Sequence, residues 1–98
     1  MILTIDLGTT VTKVDVWGRS GRVSGGRREL VTQHPAPGCD EQDPTAWWPA
    51  VVAACGEAGE ADPDAWAQVD AVGLCGARQT RCSIHLSQPI TERVTVVY

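Results

Sequence analysis

The chain has 98 residues and a mass of 10.5 kDa, with 43% hydrophobic and 20% charged side chains. This composition is typical of a soluble globular protein, and the length predicts a single domain, which excludes a multidomain enzyme. No apolar run approaches the ~20 residues that a membrane span needs. Residues 1–6 contain no basic leader, which argues against a secretory signal peptide. We therefore expect a small cytoplasmic domain that does not contact a membrane.

The formal net charge of −4 conceals an uneven distribution. Residues 29–77 contain nine acidic residues and no lysine or arginine. Nucleic-acid phosphates require a basic surface, so this segment argues against a nucleic-acid partner. An exposed helix face with capping acids explains the segment better.

The four cysteines, Cys39, Cys55, Cys75 and Cys82, contain no pair at the spacing of a zinc or redox motif. Cys55 and Cys75 lie in apolar stretches, which predicts small buried core residues.

The first third of the chain predicts three consecutive strands. Residues 2–7 and 11–17 alternate apolar and polar side chains, and a tight turn separates them. Residues 22–33 predict a third, more polar strand with a bulge at Gly25-Gly26. Strands joined by such short turns form an antiparallel meander.

The second third predicts a helical crossover. A loop with two prolines and a glycine at 34–38 precedes Asp43-Pro44, which is typical of a capped helix start. Apolar residues then recur every three or four positions, which predicts an amphipathic helix over 44–58. A second start at Asp62-Pro63 leads to residues 69–75, which predict a buried strand parallel to the first. The predicted order is β-β-β-α-β, an α/β fold.

A motif of five residues spans the first turn: Asp6, Gly8, Thr9, Thr10 and Lys13. Asp6 is a hard oxygen donor suited to Mg²⁺, directly or through water. Gly8 allows close backbone approach, and the two threonines offer N–H and hydroxyl groups to phosphate oxygens. Lys13 adds a positive charge. These features predict a phosphate site, although an ordinary hairpin with surface residues explains the motif equally well when it is taken alone.

Two further segments of the chain narrow the choice of protein family. The strand–turn–strand motif resembles the phosphate loop of the actin-like superfamily of sugar kinases, chaperones and actin. Glu41-Gln42-Asp43-Pro44 followed by Trp47-Trp48 resembles a segment of the FGGY carbohydrate kinases, especially the xylulokinase-like members. Residues 73–80 resemble the segment that leads into the sugar pocket of those kinases. The resemblance covers residues 1–80.

The resemblance implies a ribonuclease H-like fold, here partial, with ATP and Mg²⁺ in a cleft and a sugar or polyol as the phosphate acceptor. Asp6 matches the residue that organises the metal and its waters, and the turn matches the phosphate loop. Arg78 and Gln79 fall where glycerol kinase-like members place an Arg-Glu pair on the polyol, so they are candidate substrate-binding residues. Trp47 and Trp48 are expected to pack at the cleft wall, and Asp43 is expected to cap a helix.

In residues 81–98 we recognise no pattern of the family from the sequence, and we expect a divergent tail with one or two short strands there. The aspartate that serves the family as catalytic base has no counterpart, and neither has the second domain. Phosphoryl transfer requires groups from both sides of the cleft, so we expect no useful turnover from this chain alone.

The leading hypothesis is therefore the N-terminal part of a sugar kinase, with the remainder of the kinase as a missing partner. One alternative is a non-catalytic module that binds phosphate, nucleotide or a partner chain, for which an unpaired edge strand at 90–98 would serve. Another actin-like ATPase explains the first motif but not the two later segments.

Overall fold

The computed structural model describes residues 1–76, 81–84 and 94–97. The strands are β1 Ile2–Leu7, β2 Val11–Gly18, β3 Gly21–Glu29, β4 Glu41–Gln42, β5 Ala71–Gly76, β6 Arg81–Ile84 and β7 Val94–Val97. A short 3₁₀ helix, Pro44–Ala46, runs directly into helix α1, Trp47–Ala61, and helix α2 spans Pro63–Ala67.

The main sheet has the strand order β3-β2-β1-β5. β1, β2 and β3 form the predicted antiparallel meander. The helical segment then carries the chain over to β5, which pairs with β1 in parallel. The predicted order of strands, helix and parallel strand is therefore confirmed.

A second sheet has the order β4-β7-β6. β7 pairs antiparallel with both neighbours, so residues 94–97 lie in the middle of this sheet. The prediction of an unpaired edge strand at 90–98 is wrong for these residues. The sequence did not predict β4, because this strand is only two residues long and pairs with a strand that lies far away in the sequence.

The third strand ends at Glu29, earlier than predicted, and its irregularity lies elsewhere than at Gly25-Gly26. Val16 pairs with Ser24 whereas Trp17 pairs with Arg22, so the extra residue is Val23. Gly26 has another role, because a Cβ atom there would overlap the carbonyl oxygen of Ala54 in α1. The glycine lets the helix backbone approach the sheet closely.

The predicted helix starts are confirmed. Asp43 Oδ1 accepts a hydrogen bond from the backbone N–H of Thr45 (2.9 Å), and Asp62 Oδ1 accepts one from Ala65 (2.9 Å). α1 continues past the predicted end at residue 58 and includes Gly59. A Cβ atom on Gly59 would lie 3.2 Å from the ring of Trp66, so the glycine makes room for α2 against α1.

The core lies between the sheet and the two helices. Its buried residues are Leu3, Val14, Val16, Ala54, Ala58 and Ala65. Leu3 comes from β1, the two valines come from β2, and the three alanines come from the helices. Small alanine side chains allow helices to pack close to a sheet, and α1 lies mainly across β2 and β3.

β5 differs from its prediction as a buried strand. All six of its residues are exposed, with 80% of Leu74 and 63% of Val72 accessible to solvent. Cys75 is likewise exposed and is not the core residue that its apolar neighbourhood predicted. The physical reason is that α1 lies across β2 and β3, so no described helix covers β5. No helix in the described residues is long and apolar enough to cross a membrane.

Candidate functional site

The predicted phosphate loop is the turn between β1 and β2. The N–H of Gly8 donates to the carbonyl oxygen of Val11 (3.1 Å), which closes the turn. A Cβ atom on Gly8 would lie 2.8 Å from that same oxygen, so the turn in this form requires glycine. Thr9 and Thr10 are exposed at its tip. Both threonines are therefore open to solvent.

Asp6 and Lys13 face one another directly across the β1–β2 ladder. Side chains alternate between the faces of a strand, and Ile5 and Val14 contact the core on the helix side. Asp6 and Lys13 therefore lie on the opposite face, where both are exposed. Directly opposite residues of such a ladder have Cβ atoms about 4.5–5.5 Å apart. The sheet thus brings the predicted carboxylate and ammonium together below the turn.

The electrostatics beside Lys13 favour an anion. A groove of about 270 Å³ there includes two carboxylates in its lining, Asp15 and Glu57. Asp15 forms an ion pair with Arg22, and Glu57 forms one with Arg28. Lys13 and its cross-strand neighbour Arg27 have no ion-pair partner among the described residues. Two cations without an ion-pair partner in the described part of the chain therefore lie near the turn, and the exposed Asp6 carboxylate lies directly across the ladder from Lys13. Arg27 was not singled out from the sequence, because only the strand register places it beside Lys13.

The chemistry of the donor set suits Mg²⁺ held mainly by water and phosphate. Residues 1–76, 81–84 and 94–97 contain no cluster of three or more metal-ligating side chains. Asp6 is a single exposed carboxylate at the carboxyl end of β1. Mg²⁺ is commonly bound by one or two carboxylates and otherwise by water and substrate phosphates, so a lone Asp6 fits this role.

The structure adds a residue that the sequence did not single out for the site. Gln42 is buried, with 4% of the residue accessible to solvent. Its Nε2 donates to the backbone carbonyl of Thr9 and to Thr32 Oγ1 (3.0 Å), while its Oε1 accepts from Trp47 Nε1 (3.0 Å). Gln42 therefore joins the Gly8–Thr10 turn to the start of α1. The sequence signal was its position within the EQDP segment, but the contact with Thr9 depends on tertiary structure.

The two tryptophans of this segment have different surroundings. Trp47 is half-buried and its indole nitrogen is bound by Gln42, whereas 71% of Trp48 is exposed. Asp43 caps the helix start, as expected.

The candidate substrate residues follow β5. The parallel pairing places Gly76, the last residue of β5, beside Leu7, the last residue of β1. The chain therefore leaves β5 at the same end of the sheet as the turn between β1 and β2. Arg78 and Gln79 lie outside the described residues, and their role stays a prediction.

Comparison with known proteins gives the family. Residues 1–90 match the profile described as "FGGY family of carbohydrate kinases, N-terminal domain". The chain belongs to this family. Among curated relatives, a glycerol kinase from Rhizobium rhizogenes is 35% identical over 80 residues, and one from Gloeobacter violaceus is 36% identical over 80 residues. Each alignment covers 81% of this chain and 16% of the relative.

Solved structures of sugar kinases share the fold of this FGGY-family chain. A xyloylose kinase from Brucella ovis superimposes with a TM-score of 0.82 at 26% identity, covering 97% of this chain and 20% of that one. A xylulose kinase from Rhodospirillum rubrum gives a TM-score of 0.81 at 20% identity, with the same coverage. The prediction of a sugar-kinase N-terminal α/β fold is confirmed. The chain spans about a fifth or less of the length of these relatives.

Proposed function

We propose that this chain is the opening part of an ATP-dependent carbohydrate kinase. In this proposal the Gly8–Thr10 turn binds phosphate groups of ATP, Asp6 organises Mg²⁺ and its waters, and Lys13 balances the phosphate charge. Arg78 and Gln79 bind hydroxyl groups of a sugar or polyol. The single observation that carries the proposal is the placement of Asp6 and Lys13 opposite one another, both exposed, directly below a turn whose two threonines are exposed.

The chemistry of the site explains binding but not turnover. The turn offers N–H and hydroxyl donors to phosphate oxygens, and Lys13 supplies a compact positive charge. Mg²⁺, when bound, neutralises charge on the phosphate oxygens. Neither a catalytic base nor groups from an opposing domain have been identified in these 98 residues. We propose that the chain alone transfers no phosphate at a useful rate, and that the remainder of the kinase is required.

Calorimetric titration of the full chain with Mg-ADP and Mg-ATP tests the binding part. We expect Asp6→Asn to weaken the magnesium-dependent component of binding about tenfold, as befits loss of a charged hydrogen-bonding group. Asp64→Asn is the matched control, because Asp64 is also exposed but lies on α2, away from the turn. Equal affinities of the wild type, Asp6→Asn and Asp64→Asn would contradict the assignment of Asp6.

A turnover assay tests the second part. The purified chain is mixed with Mg-ATP and a panel of pentoses and polyols, and ADP formation is measured. We expect no sugar-dependent signal. ADP formation that rises well above background with one of the sugars would show that the chain is a complete catalyst.

A further inference from the structure

We propose that Gln42 is a positioning residue for the phosphate turn, and that it orients the peptide between Thr9 and Thr10. The inference rests on the proposed function for the identity of the ligand, but the contact itself is observed without one. Gln42 touches neither substrate nor phosphate in this proposal. It acts through the backbone of the turn.

The peptide geometry explains how. A peptide unit is planar and trans, so the carbonyl of one residue and the N–H of the next point in opposite directions. Gln42 Nε2 binds the Thr9 carbonyl oxygen. The N–H of Thr10 is thereby directed away from Gln42, towards the exposed side of the turn. Without this hydrogen bond the Thr9–Thr10 peptide unit is free to rotate. The Thr10 N–H is then directed towards the phosphate only part of the time.

The neighbouring peptide of the turn is held in a similar way. The carbonyl oxygen of Thr10 accepts a hydrogen bond from the N–H of Leu30 (2.8 Å). Leu30 is buried and fixed just beyond β3, so this contact uses the main chain. The Thr9 carbonyl instead accepts from the side chain of Gln42. A substitution of Gln42 can therefore remove this hydrogen bond, whereas a substitution of Leu30 leaves its backbone N–H in place.

Gln42 is itself held in place at both ends of its amide. The Trp47 indole donates to Oε1, and Thr32 Oγ1 accepts from Nε2. An amide whose oxygen receives an N–H cannot flip without losing this hydrogen bond, so Trp47 fixes which end of Gln42 faces Thr9. The pair Gln42 and Trp47 thus links the EQDP segment to the phosphate turn.

The experiment uses the ¹⁵N-labelled full chain and inorganic pyrophosphate with Mg²⁺ as the probe. Gln42→Glu keeps the acceptor for Trp47 and the side-chain size, and in its ionised form it has no donor. We expect its amide resonances to shift at Thr9 and Thr10 before any ligand is added, and its pyrophosphate affinity to fall about tenfold. The Trp47 indole resonance should remain in place. Gln33→Glu is the matched control, since Gln33 is exposed and bridges Glu41 only through backbone hydrogen bonds.

A second variant covers the case in which the buried glutamate unfolds the chain. Gln42→Met has a similar volume and no polar group, and the same shifts at Thr9 and Thr10 are expected from it. In the wild type, slow solvent exchange of the Gln42 side-chain amide protons provides a direct readout without any substitution. Unchanged Thr9 and Thr10 resonances and unchanged affinity in both variants, or rapid exchange of those protons, would overturn the proposal.

The outcomes also separate this proposal from the proposed function. If pyrophosphate leaves the Gly8–Thr10 resonances of the wild type unmoved, the phosphate site fails, yet the ligand-free shifts still support the positioning role. If pyrophosphate binds the turn equally well in the wild type and in a folded Gln42→Met variant, the phosphate site stands and the positioning role fails.

Discussion

The two edges of the main sheet are built differently. β3 is covered on one face by α1, carries Arg22, Arg27, Arg28 and Glu29, and contains the extra residue Val23. β5 carries neither charge nor proline, and all of its residues are exposed. Charges and bulges are common means of protecting an edge strand, and parallel strands are usually covered on both faces. The helix-facing side of β3 is therefore packed against α1, whereas both faces of β5 are open in the described residues.

The largest effect should come from Gly26 on the β3 edge, with Gly73 on the β5 edge for comparison. In Gly26→Ala the new methyl group overlaps the Ala54 carbonyl and lies 2.9 Å from Glu57 Cβ, so α1 must move away from the sheet. We expect a loss of about 3 kcal/mol or more in the free energy of unfolding, at the upper end for overpacking. Urea denaturation followed by circular dichroism measures it.

Gly73→Ala on β5 is the matched control for this change. Its Cβ atom would meet nothing closer than Thr4 Cγ2 at 3.8 Å, so the stability should be nearly unchanged. Similar losses in the two alanine variants would mean that the two edges do not differ in packing.

A medium effect is expected from a pair of valines. Val14 is completely buried under α1, so Val14→Ala removes two methyl groups from the core and should cost about 2 kcal/mol. Val72 lies on the helix side of β5 but is 63% exposed. The loss of stability in Val72→Ala should therefore stay within about 0.5 kcal/mol. Thermal and urea unfolding of both variants measure the difference. A cost for Val72→Ala equal to that for Val14→Ala would show that β5 is covered in solution.

The smallest expected effect is a difference in reactivity between two cysteine thiols. It involves no change in stability at neutral pH. Burial raises the pKa of the Cys55 thiol above its ordinary value of 9.0. Cys75 is exposed on β5. At pH 8 we expect a maleimide to label Cys75 on the order of ten times faster than Cys55, because the thiolate is the reactive form. Mass spectrometry of digested samples assigns the sites, and equal rates would contradict the difference in environment.

The same pKa shift has a consequence at alkaline pH. The unfolded chain ionises Cys55 at its ordinary pKa, before the folded chain does. The unfolded state is then favoured, so the contribution of this thiol lowers the stability as the pH rises above 9.0. A Cys55→Ser variant should lose this part of the pH dependence.

The sequence predicted those features that depend on neighbouring residues. The alternation in β1 and β2 fixed their bounds and placed Asp6 and Lys13 near one turn, and Asp43 and Asp62 marked the helix starts. Apart from the bulge position in β3 and the ends of β3 and α1, the errors concern contacts between distant segments. Residues 71–75 are apolar enough for a buried strand, but burial depends on what lies over them, and α1 lies over β2 and β3.

The same limit applies to the site. Gly8 and the two threonines were identified from their types and spacing. Arg27 and Gln42 were missed because their relation to the turn depends on strand register and on a buried hydrogen bond. Those contacts join residues that are separated by 14 to 33 positions in the sequence, as with Lys13 opposite Arg27 and Gln42 against Thr9.

The pairing of β4 with β7 has a consequence for the order of assembly. β1, β2 and β3 pair through short turns, which close quickly. β4 pairs with β7 across more than half of the chain, and closing so long a loop costs more entropy before any contact is gained. During synthesis the Gly8–Thr10 turn is therefore formed early, while the strand that carries Gln42 gains its pairing partner only after residues 94–97 have been made.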